Sequence, residues 1–145
     1  MTRKVRILIG VVAATVLLAS PARIAARQGT DEIGSVRIPR QVMADGQPLA
    51  SGSYVVRLSA ATVTPVVGQS ADGARWVEFV QNGQARGREL ATVLSAEEAR
   101  EVAQGAAPGS GGAKVELLKG NDYVRVWINH GGTHYLVHLA VSSSR

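Results

Sequence analysis

Three histidines, His130, His134 and His138, stand four residues apart in the stretch INHGGTHYLVHLAV. On a helix this spacing would place the three imidazoles along one face, where they could bind a metal ion. The stretch contains the pair Gly131-Gly132, however, and each glycine costs a helix about 0.8–1 kcal/mol relative to alanine. Because its flanks are β-branched or aromatic, we predict two strands joined at the glycine pair.

A turn at Gly131-Gly132 predicts the register of this terminal hairpin. Three pairs then share one apolar face: Ile128 with Tyr135, Val126 with Val137, and Val124 with Leu139. The alternation of a strand places the remaining side chains on the second face. That face carries Tyr123, Arg125, Trp127, Asn129, His134, Leu136, His138 and Ala140.

The predicted hairpin separates the histidines. His134 and His138 lie four residues apart on one strand, which corresponds to about 13 Å at ~3.3 Å per residue. Two nitrogens bound to one zinc ion lie within roughly 4 Å of each other. His130 belongs to the turn and points to the opposite side, so we predict neither a metal site nor a bound cofactor.

Other residue types that support catalysis form no recognisable constellation. The chain has no cysteine, which excludes thiol catalysis, redox exchange and thiolate metal sites. Six serines fall in predicted turns, loops or a helix cap, and none of them lies in a G-x-S-x-G elbow: Ser51, Ser53, Ser59, Ser70, Ser95 and Ser110. Two glutamates, Glu78 and Glu89, flank one hairpin, but each has an arginine in reach. These observations favour a protein that is not an enzyme.

The second face of the terminal hairpin is the candidate binding site. It combines aromatic and polar side chains, which are typical of recognition surfaces when they are exposed. The residues we select are Tyr123, Arg125, Trp127, Asn129, His134 and His138. If a helix or another strand covers this face, the same residues are the second side of a buried sheet. Both alternatives are compatible with the sequence.

The N-terminal residues 1–26 have the pattern of a secretory signal peptide. Three basic residues precede an uncharged run, Ile7 to Leu18, and small residues follow it. Cleavage after Ala22 and cleavage after Ala26 are both compatible with the pattern. A membrane-spanning helix needs about 20 apolar residues, so we expect no permanent membrane span after cleavage. The predicted location is secreted or periplasmic.

Removal of that peptide changes the charge of the protein. The full chain carries +5, with 16 Lys+Arg against 11 Asp+Glu, whereas a chain starting at Arg27 keeps 12 Lys+Arg against the same 11 acids, or +1. Nucleic-acid binding requires a basic surface. Within the mature chain, Arg86 and Arg88 are close together in sequence but form no larger cluster. We therefore expect no nucleic-acid partner.

Short segments rich in Val, Ile and aromatic residues alternate with glycine-containing turns along residues 27–145. This spacing predicts a single, mainly β domain, folded as an antiparallel β-sandwich or a barrel-like sheet. The segment 35–43 alternates as one strand, and Pro39 places it on a sheet edge or at a bulge. One short helix is predicted at about 95–104, with Ser95 and Glu98 as a capping box and Gly105 at its end. Residues 105–113 read as a flexible loop.

A second hairpin is predicted around Asn82-Gly83. A two-residue turn would place Phe79 opposite Arg86, and Val77 opposite Arg88. A three-residue loop would instead place Glu78 opposite Arg86, and Trp76 opposite Arg88. Because the second register pairs opposite charges and a cation with an aromatic ring, we favour the three-residue loop.

The run GQPLASGSYVVRL, residues 46–58, has the pattern G-x-x-L-x-x-G-x-Y-x-V-R-L. It resembles the strand-entry motif of small secreted bacterial β-sandwich proteins, most of them of unknown function. It is also similar to the tyrosine corner of immunoglobulin-like sandwiches, with one residue fewer between Gly52 and Tyr54. The resemblance implies that Leu49 packs beneath the turn and that Tyr54 begins a strand. It implies a fold and no activity.

Together these features lead to two hypotheses about function. The first is an exported, non-catalytic binding module or structural component of the cell envelope, with an envelope or extracellular protein or a glycan as its partner. The second is a carbohydrate-binding module, or a secreted enzyme of unfamiliar type, that acts through the face of Trp127, His134 and His138. An open groove along that face would favour the second hypothesis, and a covered face the first.

Overall fold

The computed structural model describes residues 31–103 and 107–143. Within them, the chain forms nine strands, one α-helix and a 3₁₀ turn at Ala71–Gly73. In chain order the elements are β1 (Glu32–Ile38), β2 (Val42–Ala44), β3 (Gln47–Leu49), β4 (Gly52–Leu58), β5 (Ala74–Gln81), β6 (Gln84–Leu94), α1 (Ala96–Val102), β7 (Ala113–Leu117), β8 (Tyr123–His130) and β9 (Thr133–Val141). The predicted fold class, mainly antiparallel β with one short helix, is confirmed. No helix in these two ranges has the length and apolar character needed to cross a membrane.

The strands form one antiparallel sheet that is rolled but not closed. Its order is β1-β4-β5-β6-β9-β2-β3, with β8 on the other edge of β9 and β7 on the far edge of β8. The long strand β6 pairs with β5, and its last residues, 92–94, also pair with β9. One strand thus leads from the first half of the sheet (β1, β4, β5) to the second half (β9, β8, β7, with β2 and β3).

The core lies between these two halves. Alternating side chains from both inner faces form one buried cluster, which includes Val36, Ile38, Val56, Val77, Phe79, Val124, Val126, Ile128, Val137 and Leu139. Close approach of β1 to β8 depends on Gly34, because a Cβ there would lie 3.1 Å from Ile128 Cγ2. The domain is therefore held by apolar packing, in agreement with a chain that has no cysteine.

The predicted register of the terminal hairpin, β8 with β9, is confirmed at every pair. Its turn is formed by Gly131 and Gly132, with φ of 61° and 87°. Two successive left-handed residues form the turn type that matches the twist of paired strands, and glycine adopts this conformation without steric cost.

The predicted register of the hairpin β5–β6 is wrong. Asn82 and Gly83 form a two-residue turn, with φ of 52° and 74°, that pairs Gln81 with Gln84. An extra residue, Arg86, then bulges from β6, so the register beyond it matches neither of the two registers considered. In this register Glu78 lies opposite Arg88, but its ion pair is formed with β4, where Arg57 Nε donates to Glu78 Oε2 at 2.7 Å.

The expected single strand at 35–43 is also wrong, since the segment forms the end of β1 and most of β2. Pro39 directly follows β1, which is an edge strand, and the chain leaves that edge there to reach the other half of the sheet. In the run 46–58, strand β4 begins at Gly52, two residues before Tyr54. Leu49 is buried, Gly52 has a φ of 152°, and the Tyr54 hydroxyl donates to the Ala50 carbonyl at 2.8 Å.

Helix α1 begins with the predicted capping box. Ser95 N donates to Glu98 Oε2 at 2.7 Å, and Glu98 N donates to Ser95 Oγ at 3.2 Å. The helix ends at Val102, and Ala103 caps its C-terminus. The predicted end at Gly105 and the predicted signal peptide lie outside the described residues.

Candidate functional site

The six candidate residues share the second face of the hairpin, but this face is divided into two parts. Trp127 is 2% exposed, and Asn129 and His134 are also buried. Tyr123 is 47% exposed, His138 is exposed and Arg125 is half-buried. The three buried residues therefore lie at the turn end of the hairpin, and the three more exposed residues lie at its far end.

Helix α1 covers the turn end of this face. Ala99 packs against Trp127 and Leu136 in a second buried cluster, which Leu94, Ala103 and Ala107 extend. Because the side chains on this side of the helix are small, α1 lies close to the sheet, and the Trp127 indole fills the space between the helix and the sheet. This part of the face is therefore interior.

Trp127 and His134 are joined beneath the helix. The indole Nε1 donates to His134 Nδ1 at 2.8 Å. Because an indole nitrogen is only a donor, His134 Nδ1 is unprotonated, and the neutral ring carries its hydrogen on Nε2. Burial lowers the pKa of His134 below its ordinary value, which favours the same neutral form.

Asn129 ties the loop before β7 to the hairpin. Its Nδ2 donates to the Pro108 carbonyl at 2.9 Å, and its Oδ1 accepts from Gly132 N at 3.1 Å. Its backbone also bonds to Gly111 and Gly112. The described part of the loop predicted as flexible, 107–112, is thus anchored at several points.

The other end of the hairpin presents an exposed surface built from two rows in register. The first row crosses four strands through the pairs Tyr123 with Ala140, Ala140 with Met43, and Met43 with Pro48. The second row crosses β7, β8 and β9 through the pairs Glu116 with Arg125 and Arg125 with His138. We call this surface the open face; its residues are Met43, Pro48, Glu116, Tyr123, Arg125, His138 and Ala140.

Charges on the open face hold one another in place. Arg125 donates to Glu116 Oε2 from Nε at 2.9 Å and from its second nitrogen, and it lies over the Trp127 ring at 5.5 Å. Hydrogen bonds from Lys114 and Arg125 lower the pKa of Glu116. Desolvation, and secondarily the charge of Arg125, lowers the pKa of His138. The surface therefore presents a fixed guanidinium and a neutral imidazole beside the Tyr123 ring.

A separate groove of about 530 Å³ lies on the first half of the sheet. Val55 and Val80 pair at its base, and the Arg57–Glu78 ion pair lies beside them. Asp31 and Glu32 line the same groove. A volume of this size falls in the range of small-molecule sites, so the groove is a second candidate site.

Sequence reasoning missed both Met43 and the groove. Met43 reaches the open face because β2 pairs with β9, a contact between residues almost a hundred positions apart. Arg57 and Glu78 meet because β4 pairs with β5 in one register. The alternating pattern of each strand was visible, but no local signal names the partner strand.

Among the described residues, no group of three or more His, Asp or Glu side chains is arranged to hold a metal ion. No protein-family model matches the chain, and neither curated proteins nor solved structures show a significant match.

Proposed function

We propose that the protein is an exported, non-catalytic binding module whose open face docks on a partner protein of the cell envelope or extracellular space. The observation that carries this proposal is the exposed Tyr123 ring beside the anchored Arg125 on a surface of paired strands. Tyrosine and arginine are enriched among the residues that contribute most to binding at protein interfaces, and tyrosine offers a large contact area with few free rotations.

Coverage of the turn end supports this function over sugar binding or catalysis at Trp127. A ring that stacks on a sugar needs a free face, and α1 packs on this one. His134 uses its Nδ1 to accept from the indole, so that nitrogen is not available as a base. The open face extends over several paired strands, which suits a macromolecular partner better than a small substrate.

Photo-crosslinking tests the open face directly. A photoreactive phenylalanine analogue at position 123, in the protein expressed in its native host, is expected to form one specific adduct. The same analogue at Arg37, an exposed position on β1, is the control and is expected to form none. His138→Ala in the first protein should remove the adduct. Equal adducts at both positions, or none at 123, would contradict the proposal.

Export is tested separately. The N-terminal pattern predicts that protein recovered from the envelope or medium begins at Arg23 or Arg27. Intact-mass spectrometry of the recovered protein gives the answer. Folded protein that retains residues 1–6 in the cytoplasmic fraction would contradict export without affecting the crosslinking result.

The groove supports a second candidate function, the binding of a small ligand. Its apolar base and charged rim suit a compact molecule with an apolar part and a cationic group. Native mass spectrometry of protein purified from its host should then show a bound mass that Arg57→Ala/Glu78→Ala removes. A groove without function predicts the unliganded mass in both proteins.

A further inference from the structure

The free edge of β7 leads to an inference that goes beyond the proposed function and does not depend on it. Within the described residues, β7 pairs with β8 alone. Strand β1 also lies near β7 and β8 but pairs with neither of them, and its Gly34 lies close to the Ile128 side chain of β8. Among the described residues no strand pairs with the outer edge of β7, so the backbone groups on that edge can bind another strand.

The hydrogen bonds to β8 identify which backbone groups are free. Gly112 O accepts from Asn129 N at 3.0 Å, and Leu118 N donates to Tyr123 O at 2.9 Å. Since alternate residues of an antiparallel strand bond to the same neighbour, the even-numbered residues of β7 face β8. The N–H and C=O groups of Ala113, Val115 and Leu117 therefore point outward.

Side chains along this edge are arranged symmetrically about Val115. Lys114 and Glu116 lie on either side of it, on the outer surface of the sheet, opposite Trp127 and Arg125. Within a single chain, Lys114 and Glu116 form an ion pair with each other. Val115 and Leu117 face the core side, and Leu117 is 38% exposed, a high value for a leucine in a strand.

We propose that β7 pairs antiparallel with β7 of a second copy, about a two-fold axis at Val115. In this register each Lys114 lies opposite Glu116 of the other copy, and Ala113 lies opposite Leu117. The three residues with outward backbone groups then form six hydrogen bonds, two for each pair. The two Lys–Glu pairs occupy the positions where facing side chains come closest, so that charge and backbone select the same register.

Such a dimer has a self-complementary interface, the commonest form in soluble proteins. Its axis is perpendicular to the sheet, which continues from one copy into the next. Both open faces then lie on the same side of the extended sheet. A repeated partner would bind two such faces more tightly than one.

Charge exchange tests this pairing. Lys114→Glu places carboxylates on both sides of Val115, and Glu116→Lys places ammonium groups there, so each variant alone opposes like charges. Sedimentation over a concentration series should show a dimer for the natural protein and loss of the dimer for each variant. An equimolar mixture should restore the dimer mass, because each carboxylate then faces an ammonium group.

A matched control is Lys119→Glu, the same charge change at an exposed position beyond the strand, which should remain dimeric. Because Glu116 also binds Arg125, the melting curve of Glu116→Lys is measured first. If that variant does not fold, amide exchange of the natural protein and Lys114→Glu decides. The amides of Val115 and Leu117 should exchange more slowly as concentration rises in the natural protein only.

Two results would overturn the proposal. One is a natural protein that has the mass of a single chain at every concentration of the series, and the other is a dimer that persists in the charge variants. Amide exchange at Val115 that is independent of concentration would lead to the same conclusion.

Discussion

At the scale of single residues, the contrast between Tyr123 and Trp127 is informative. The two aromatic rings lie on one face of one strand, four residues apart, yet one is 47% and the other 2% exposed. The difference arises from the contacts of Trp127 with Ala99 and Leu136, and from its hydrogen bond to His134. Whether an aromatic residue on such a strand is available for binding or is part of the packing thus depends on whether another element covers it.

We expect Trp127→Ala to lower the free energy of unfolding by about 3–5 kcal/mol, the range for loss of a large aromatic side chain from a core. Trp127→Phe keeps most of the ring but leaves His134 Nδ1 without its donor, at a cost of about 1–3 kcal/mol. Urea denaturation measures both. Tyr123→Ala is the control and should change stability by less than about 0.5 kcal/mol. A Trp127→Ala protein as stable as the natural one would show that the indole is not packed.

Stability should decrease as the pH falls below 6.5, the ordinary histidine pKa. Burial lowers the folded-state pKa of His134, so the unfolded chain binds a proton first. The stabilisation is complete above pH 6.5 and is lost as the pH falls from there toward the folded-state value. His138 acts in the same direction. The pKa of Glu116 is also lowered, so its contribution to stability is complete above pH 4.5 and is lost only as the pH falls below that value.

Melting temperatures between pH 7 and pH 5 measure this effect. His134→Gln offers an acceptor to the indole and does not titrate, so its melting temperature should fall less over the same range. An equal fall in both proteins would mean that His134 does not contribute to the pH dependence.

At the scale of elements, α1 is a short helix whose role is to cover. It has seven residues, of which Ala99 alone is fully buried. A helix of this length is not stable by itself, so its capping box and its contact with Trp127 support each other. The side chains of Ser95 and Glu98 cap the helix, and the helix covers Trp127 at the turn end of the candidate face. The capping box therefore helps to keep this part of the face covered.

Removal of the cap should loosen the cover. Ser95→Ala is expected to cost about 0.5–2 kcal/mol and to increase the access of solvent to Trp127. Acrylamide quenching of fluorescence, in a Trp76→Phe background so that only the second indole is observed, reports this access. Ser142→Ala, outside the helix, is the control. Unchanged quenching in Ser95→Ala would show that the helix does not need its cap to cover the ring.

The glycine turn is the second element with a sharp test. Gly132→Val introduces a β-branched side chain at a φ of 87°, which should cost at least about 1–2 kcal/mol. Gly131→Asn creates the Asn-Gly sequence that favours this turn, and it should be tolerated. Chemical denaturation compares the two. Equal destabilisation by both changes would argue against the left-handed turn.

At the scale of the whole molecule, one core must supply most of the stability. Val126 is 0% exposed and lies opposite Val137 at the centre of the inner face. The two halves of the sheet meet across this cluster, and the open face and the groove lie on their outer surfaces. Surface changes at either site should therefore leave the fold intact, which makes function separable from stability.

We expect Val126→Asp to unfold most of the protein. An unpaired carboxylate in the core costs several kcal/mol, and a domain of this size has a total stability of ~5–15 kcal/mol. Circular dichroism and a thermal melt measure the loss, with His138→Ala on the open face as the control. A cooperative melt of Val126→Asp like that of the natural protein would place this residue outside the core.

The sequence by itself determined the features that depend on neighbours along the chain. The terminal hairpin register follows from Gly131-Gly132 and from the alternation on either side, which satisfy each other within twenty residues. The capping box needs only Ser95 and Glu98. The same local reasoning failed for β5 and β6, where Glu78 binds Arg57 from a third strand and a bulge at Arg86 changes the register.

Only the tertiary structure decided which part of the candidate face is available. Trp127 and Tyr123 have the same alternation, and no pattern near either shows that α1 packs on one of them. Met43 joins the open face through pairing with a strand from the other end of the chain. Local preferences are set by residues a few positions apart, whereas coverage depends on which distant surfaces bury the most apolar area together.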